Sequence, residues 1–218
     1  MAVISLKNIG FRYDTDEPEI FTDFSLDIDE GECVLVRGDN GCGKTTLFRL
    51  LNGLSLPQKG SYEFKGTAIG AAYLKNNANL KRFHKEIGYL FQNPDVMLFN
   101  GSVYDEIAFG PRQMGLGEEA VAARVKDCLA MLDIENISGR APYLLSGGQK
   151  KKVALASVIA LNPSVYVLDE PFEALDNKSR EWLAEFLKSL KRAGKTLLIA
   201  THGEDLPEGL ADRVVELG

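Results

Sequence analysis

Cysteine is scarce in this sequence, and its three copies, Cys33, Cys42 and Cys128, lie far apart with no CxxC pair. That spacing excludes a disulfide framework and a structural zinc site, and it points to a reducing compartment, the cytosol. Long apolar runs are missing too. No stretch approaches the roughly 18 apolar residues that span a bilayer, and the amino terminus, MAVISLKNIGFRY, has no uninterrupted apolar segment of the kind that marks a secretory signal. If the chain serves a membrane, it does so from outside the lipid. Positive charge is not in excess either. Against 31 acidic side chains stand 25 basic ones, a net charge of −6, so bulk electrostatics give no pull toward nucleic acid or anionic lipid, and no nucleic-acid partner is expected. Internal repeats, low-complexity tracts and Gly/Ser linkers are also absent.

What is present suffices for a substantial core: 218 residues, 45% of them apolar, make one large domain or a core with an inserted lobe. From residue 33 onward short apolar strands alternate with helical patterns, the signature of an α/β domain with a mainly parallel sheet. Cys33 to Val36, Val165 to Leu168 and Thr196 to Ala200 read as its strands, apolar on both faces. Val3, Phe11 and Tyr13, then Phe21 to Ile28 and Ser61 to Phe64, predict an antiparallel β flank. Residues 117 to 134 repeat apolar groups at Val121, Val125, Cys128, Leu129 and Leu132, one face of a helix. A second helix starts after Asp176, is expected to bury Trp182, Leu183, Phe186, Leu187 and Leu190, and stops near Gly194. The stretch 93–160 reads as an inserted helical lobe, and 1–92 with 161–218 as the α/β core of one domain, 1–218.

The strand ending at Val36 runs into Gly38, Asp39, Asn40, Gly41, Cys42, Gly43, Lys44 and Thr45, and an apolar helical run with Leu47, Leu50 and Leu51 follows. This is GxxxxGK[ST] in its strand, loop, helix context. Glycines let successive backbone N–H groups turn inward on a phosphate with the positive end of a helix behind them. Lys44 can then reach the β- and γ-phosphates and Thr45 can ligate Mg²⁺. Cys42 is read as a small residue tolerated in the loop. Downstream, the strand Val165 to Leu168 ends in Asp169 and Glu170, at the carboxyl end where such sheets bind ligands. Asp169 would hold Mg²⁺ through water, and Glu170 would orient or deprotonate the attacking water.

The run Leu145, Ser146, Gly147, Gly148, Gln149 stands between these two motifs, and the order P-loop, LSGGQ, VLDEP resembles the ABC ATPase family over essentially the whole chain. The resemblance implies a P-loop NTPase with a RecA-like parallel core. It also implies ATP and Mg²⁺ as ligands, with the nucleotide contacts running through Thr46. It marks Gln92 as the Q-loop residue, at the metal and in catalysis, Asp176 as the D-loop, His202 as the switch histidine, and Tyr13 as the aromatic that stacks on adenine. Ser146 with the Gly147 and Gly148 amides at a helix start makes a second anion-binding turn, and Gln149 completes that signature. In this family two chains pack head to tail with ATP between them, so the expected partner is a second such chain, identical or related.

FQNPDVMLF at 91–99, DEIAFGPRQMGL at 105–116 and LSGGQKKKVALA at 145–156 look like the ATPases of energy-coupling-factor transporters, which take up vitamins or transition metal ions. An integral membrane transporter subunit is then expected to dock beside the Q-loop, placing the chain in the cytoplasm on the inner face of the cell membrane. The alternative is a soluble ABC ATPase acting on a non-membrane partner. Val96 to Phe99 are either core or docking surface, with Phe99 expected in the core and Met97 at the partner. The chain departs from the subfamily pattern at Val96 and Met97, where a second acid and a glutamine are usual, and in EPFEALD, where EPTAGLD is commoner. It also closes at Gly218, with no carboxyl-terminal extension expected. Lys150 to Lys152 read as a solvated helix face without a ligand.

Overall fold

The computed structural model describes residues 2–201 and 206–218. The first strands, β1 (Ala2–Phe11) and β2 (Phe21–Asp29), pair antiparallel, and β4 (Lys59–Phe64) and β5 (Thr67–Ala68) extend them into a four-stranded sheet in the order β2-β1-β4-β5. The second sheet holds β3 (Cys33–Arg37), β6 (Ile87–Leu90), β7 (Val165–Asp169), β8 (Thr196–Ala200) and β9 (Arg213–Glu216) in the order β6-β7-β8-β3-β9. Every pairing in it is parallel. An α/β fold with an antiparallel flank is therefore what the chain adopts.

Side-chain alternation along these strands divides the interior in two. Val34 and Val36, Val165 and Val167, Leu198 and Ala200 pack with the antiparallel sheet and with α1 (Lys44–Leu51). Their neighbours Cys33, Tyr166, Leu168, Leu197 and Ile199 face the other way. There they meet α4 (Val103–Gln113), α5 (Glu118–Leu132), α6 (Gly147–Leu161) and α7 (Asn177–Arg192) through Ile107, Val125, Val153 and Leu187. Burial on both faces explains why these strands are apolar throughout. The short α2 (Ala71–Leu74) and α3 (Asn77–Glu86) cover the first core, with Phe83 as the plug.

Four helix ends follow from local chemistry. Ser102 caps α4 by accepting from the Asp105 amide at 3.1 Å, and Asp176 caps α7 by accepting from Ser179 N–H at 2.8 Å. Asp133 and Asn162 end α5 and α6 in the left-handed region, at φ 56° and 48°. On α7 the expected apolar face is only partly correct. Leu183, Leu187 and Leu190 are buried, whereas Trp182 and Phe186 are half-buried and stack on each other at 5.1 Å and 9°. One turn apart on the shoulder of the helix, they cover the core edge instead of entering it.

One expectation just before α4 is reversed. Phe99 is 66% exposed, while Met97 packs inward with its sulfur 3.4 Å from the Phe91 amide. The cause is Glu106. This buried carboxylate on α4 accepts from Phe99 N–H at 2.9 Å and Asn100 N–H at 2.8 Å, which fixes the backbone at 99 and 100 and turns the Phe99 ring outward.

Candidate functional site

The loop between β3 and α1 carries three glycines in the left-handed region, Gly38 at φ 147°, Gly41 at 84° and Gly43 at 107°. At Gly43, the residue before α1, an added Cβ would also meet Ile20 at 2.9 Å, so the tight entry into the helix requires glycine there. Lys44 is buried by the curl of its own loop, and its ammonium donates to the Gly38 carbonyl at 2.6 Å and the Asp39 carbonyl at 3.0 Å. The Cys42 sulfur lies 3.9 Å from it, so Cys42 packs into the loop rather than standing on it.

Thr45, one residue on, donates its hydroxyl to the Asp169 carboxylate at 2.9 Å. Asp169 is the last residue of β7, and burial raises its pKa against the opposing pull of that hydrogen bond and of Lys151 and Lys44. Glu170 follows at φ 47°, in the left-handed region that a glutamate rarely adopts, and its N–H donates to the Ala200 carbonyl at 2.9 Å. Strain of this kind concentrates at functional sites. Thr46 meets the Tyr13 hydroxyl at 3.1 Å, and Tyr13, 53% exposed, rests edge-on against Phe11 at 5.1 Å.

A cleft of about 310 Å³ joins these pieces. Tyr13, Asn40, Gly41, Gly43, Lys44, Thr45, Thr46, Gln92, Asp169 and Glu170 line it, though they come from four separate stretches of the chain. Gln92, just beyond β6, is exposed, and its amide nitrogen stands 3.5 Å from Glu173.

Ser146, Gly147, Gly148 and Gln149 line none of that cleft. They open α6 instead: Ser146 Oγ accepts from Gln149 N–H at 3.4 Å while Gln149 Oε1 accepts from Ser146 N–H at 3.0 Å, a reciprocal capping box. Ser146 and Gly147 are exposed, held up by the buried Leu145. Asp176 caps α7 and lines none of the cleft either, and His202 lies outside the described residues.

The lysine run after Gln149 is not a solvated face. Lys151 is 1% exposed and donates to the carbonyls of Gln92 at 3.2 Å, Asp169 at 3.4 Å and Phe91 at 3.5 Å. Burial lowers its pKa to about 8, opposed by Glu173, Asp169 and Glu170. Lys150 bridges to Asp95 at 2.7 Å, and Lys152 lies 3.8 Å from Asp176. The helical period carried this information: residue 151 lies one turn before Ala154 and Leu155 on the buried stripe of α6. Glu173 offered no comparable signal, since a lone acid in a turn is common.

Among the described residues no helix is long and apolar enough to cross a membrane. Residues 21–173 match the family model described as ABC transporter. The chain is 43% identical to the nickel import ATP-binding protein LarO of Lactiplantibacillus plantarum, over 96% of this chain and 87% of that one. Among solved structures it resembles cbiO1 of Clostridium perfringens, part of the ABC transporter complex cbiONQ, with a TM-score of 0.78 and 32% identity over 99% of this chain and 84% of that one. It also resembles the ATP-binding cassette MJ0796, seen as a dimer in a post-hydrolysis state with ADP and Pi, with a TM-score of 0.88 and 27% identity over 98% and 94% of the two chains. A glycine loop on a buried lysine, a strand-end Asp–Glu pair across from it, and these likenesses together place the chain in the ABC transporter family, as an ATP-binding and ATP-hydrolysing subunit that works with Mg²⁺.

Proposed function

We propose that this chain is the ATPase of an uptake transporter of the energy-coupling-factor kind, carrying a transition metal ion or a vitamin. The single observation behind the site assignment is the cleft that joins Lys44, Thr45, Gln92, Asp169 and Glu170. Its residues fit a magnesium nucleotide: left-handed glycines free the loop amides, a buried ammonium waits on loop carbonyls, and a hydroxyl and a carboxylate already meet at 2.9 Å. Tyr13 offers a ring to the adenine, the loop from Gly38 to Thr46 wraps the phosphates, and Lys44 exchanges its loop carbonyls for phosphate oxygens. Glu170 takes the proton of the attacking water, which Gln92 and His202 help to place. Thr45, Asp169 and Gln92 would hold Mg²⁺, which would supply charge neutralisation at the phosphate oxygens.

Two copies, identical or related, pack head to tail. The exposed turn Ser146–Gln149 of one copy, with Asp176 nearby, caps the triphosphate on the lysine loop of the other. The dimeric cassette MJ0796 supports that arrangement. In this reading residues 1–92 and 161–218 form the catalytic core, and 93–160 form the lobe that carries the signature turn.

A membrane subunit docks beside the Q-loop, from the cytoplasmic side. An apolar cleft of about 260 Å³ lies there, bordered by Leu54, Phe91, Met97, Phe99 and Phe109. Phe99 and Phe109 meet edge to face at 5.0 Å and are both exposed, an aromatic pair that wants cover. LarO, by its name a nickel importer, favours uptake of a small ion, and cbiO1, part of the ABC transporter complex cbiONQ, favours assembly into a transporter.

Purification of the tagged chain from its native membranes tests this reading. An integral membrane subunit should co-purify, Phe99→Asp should release it, and Lys44→Ala should abolish tight ATP binding by the complex. Recovery of a soluble partner alone, with no membrane protein, would favour the alternative of an ABC ATPase acting away from membranes.

A further inference from the structure

Lys151 is a buried ammonium that the reading above leaves without a task. Removing an ammonium from water costs several kcal/mol unless its donors are satisfied, and a lysine near a surface ordinarily extends its head to solvent. Lys151 does the opposite. Its Nζ turns inward and donates to three main-chain carbonyls, at 3.2 Å to Gln92, 3.5 Å to Phe91 and 3.4 Å to Asp169.

Those carbonyls belong to two different strand ends. Phe91 and Gln92 leave β6, and Asp169 closes β7. Lys151 itself belongs to neither: it lies in the second turn of α6, five residues after Ser146. Its neighbour Lys150 grips the same segment from the outer side through Asp95 at 2.7 Å. Two consecutive lysines thus hold the 91–95 segment to the helix that begins with the signature turn. The same groups, Gln92, Asp95, Gly147, Lys150 and Lys151, border a cleft of about 370 Å³ between that segment and the start of α6.

We infer that Lys151 is a positioning residue: it fixes the Gln92 backbone against the carboxyl end of β7, and so ties the placement of the signature helix to the metal and water-activating end of the ATP site. The inference rests on the functional reading of that site. Mechanically, α6 is a rigid rod, and its first turn presents Ser146 to the partner copy. A shift of the rod on dimer closure moves the ammonium, and the ammonium carries Gln92 with it.

Steady-state ATP hydrolysis by the assembled complex tests this with Lys151→Met and Lys151→Gln. Methionine keeps the bulk of the stem and removes every donor; glutamine restores N–H donors without charge. Loss of charged hydrogen bonds at the site predicts that Lys151→Met lowers kcat by about 10- to 100-fold. KM for ATP, and the affinity of a fluorescent ATP analogue for the isolated chain, should stay within about three-fold, because the lysine does not touch nucleotide. Lys151→Gln should recover most of the lost kcat.

Three results would overturn the inference: an unchanged kcat with Met; a raised KM at constant kcat; or Gln no better than Met in chains with equal melting temperatures, which marks a packing role alone. Should Lys151→Met fail to fold, Lys151→Leu is measured with and without Gln92→Glu. A loss that shrinks in the Gln92→Glu background supports positioning through Gln92, and strictly additive losses contradict it. A wild-type complex that hydrolyses no ATP would instead remove the functional reading itself.

Discussion

The Thr45 hydroxyl donates to the Asp169 carboxylate at 2.9 Å, joining the first turn of α1 to the last residue of β7 across 124 positions of sequence. This one contact registers the phosphate loop against the strand that carries the acids, so the two halves of the site cannot drift apart without breaking it. Thr45→Val removes the donor while keeping the shape. Asp169, already raised in pKa by burial, then loses a partner, and we expect a stability loss of about 1–3 kcal/mol in urea unfolding. Phosphate-release assays should show hydrolysis reduced on the order of 10²-fold, the scale for one lost electrostatic contact at a transition state. Thr45→Ser should restore both.

Glu170→Gln keeps the side-chain shape at a strained backbone position and removes the carboxylate proposed as the base. Hydrolysis should slow by roughly 10²- to 10⁴-fold. With ATP no longer consumed, the variant should elute from a sizing column as a dimer when ATP is present and as a monomer without it. Elution as a monomer under both conditions would contradict the head-to-tail arrangement.

Ser146 caps α6 on an exposed surface and lines no part of its own chain's ATP cleft. An arginine there should therefore disable the site whose lysine loop lies in the other copy. In dimers of one Ser146→Arg chain and one Lys44→Ala chain, both defects fall on the same composite site, and the other site stays intact. About half the wild-type hydrolysis is expected if the two sites fire independently; none at all would mean each chain uses its own signature turn.

Glu86 ties the end of α3 to the start of β7. Its carboxylate pairs with Lys65 at 2.7 Å and accepts from the Ser164 hydroxyl at 2.8 Å. The Lys65 hydrogen bond holds its pKa below the ordinary 4.5, with Ser164 adding to the effect. A carboxylate depressed in the folded state contributes stability above its unfolded value, and that contribution is lost as pH falls through the folded value. Wild type should thus exceed Glu86→Gln in urea melts at pH 7, and the gap should close, not widen, as pH drops below 4.5.

Much of this molecule was legible before any fold was known. The glycine-rich loop, the strand-end acids and the signature turn are local in sequence, and their chemistry depends on backbone geometry that a few adjacent residues dictate. Strands β3, β7 and β8 announced themselves because burial on both faces leaves an uninterrupted apolar run. The helical period likewise gave α5, and it gave the leucines of α7.

What the linear order could not decide was which side chains end up together. Phe99 points outward because Glu106, on the next helix, captures the Phe99 and Asn100 amides. Lys151 looked like one of three solvated charges until α6 was packed on the ends of β6 and β7, where carbonyls offset the cost of burying it. The sequence by itself determined the phosphate chemistry, since that needs only neighbouring residues. Tertiary structure alone decided the coupling between Gln92, Asp169 and α6, because it depends on distances across the sheet that no stretch of chain records.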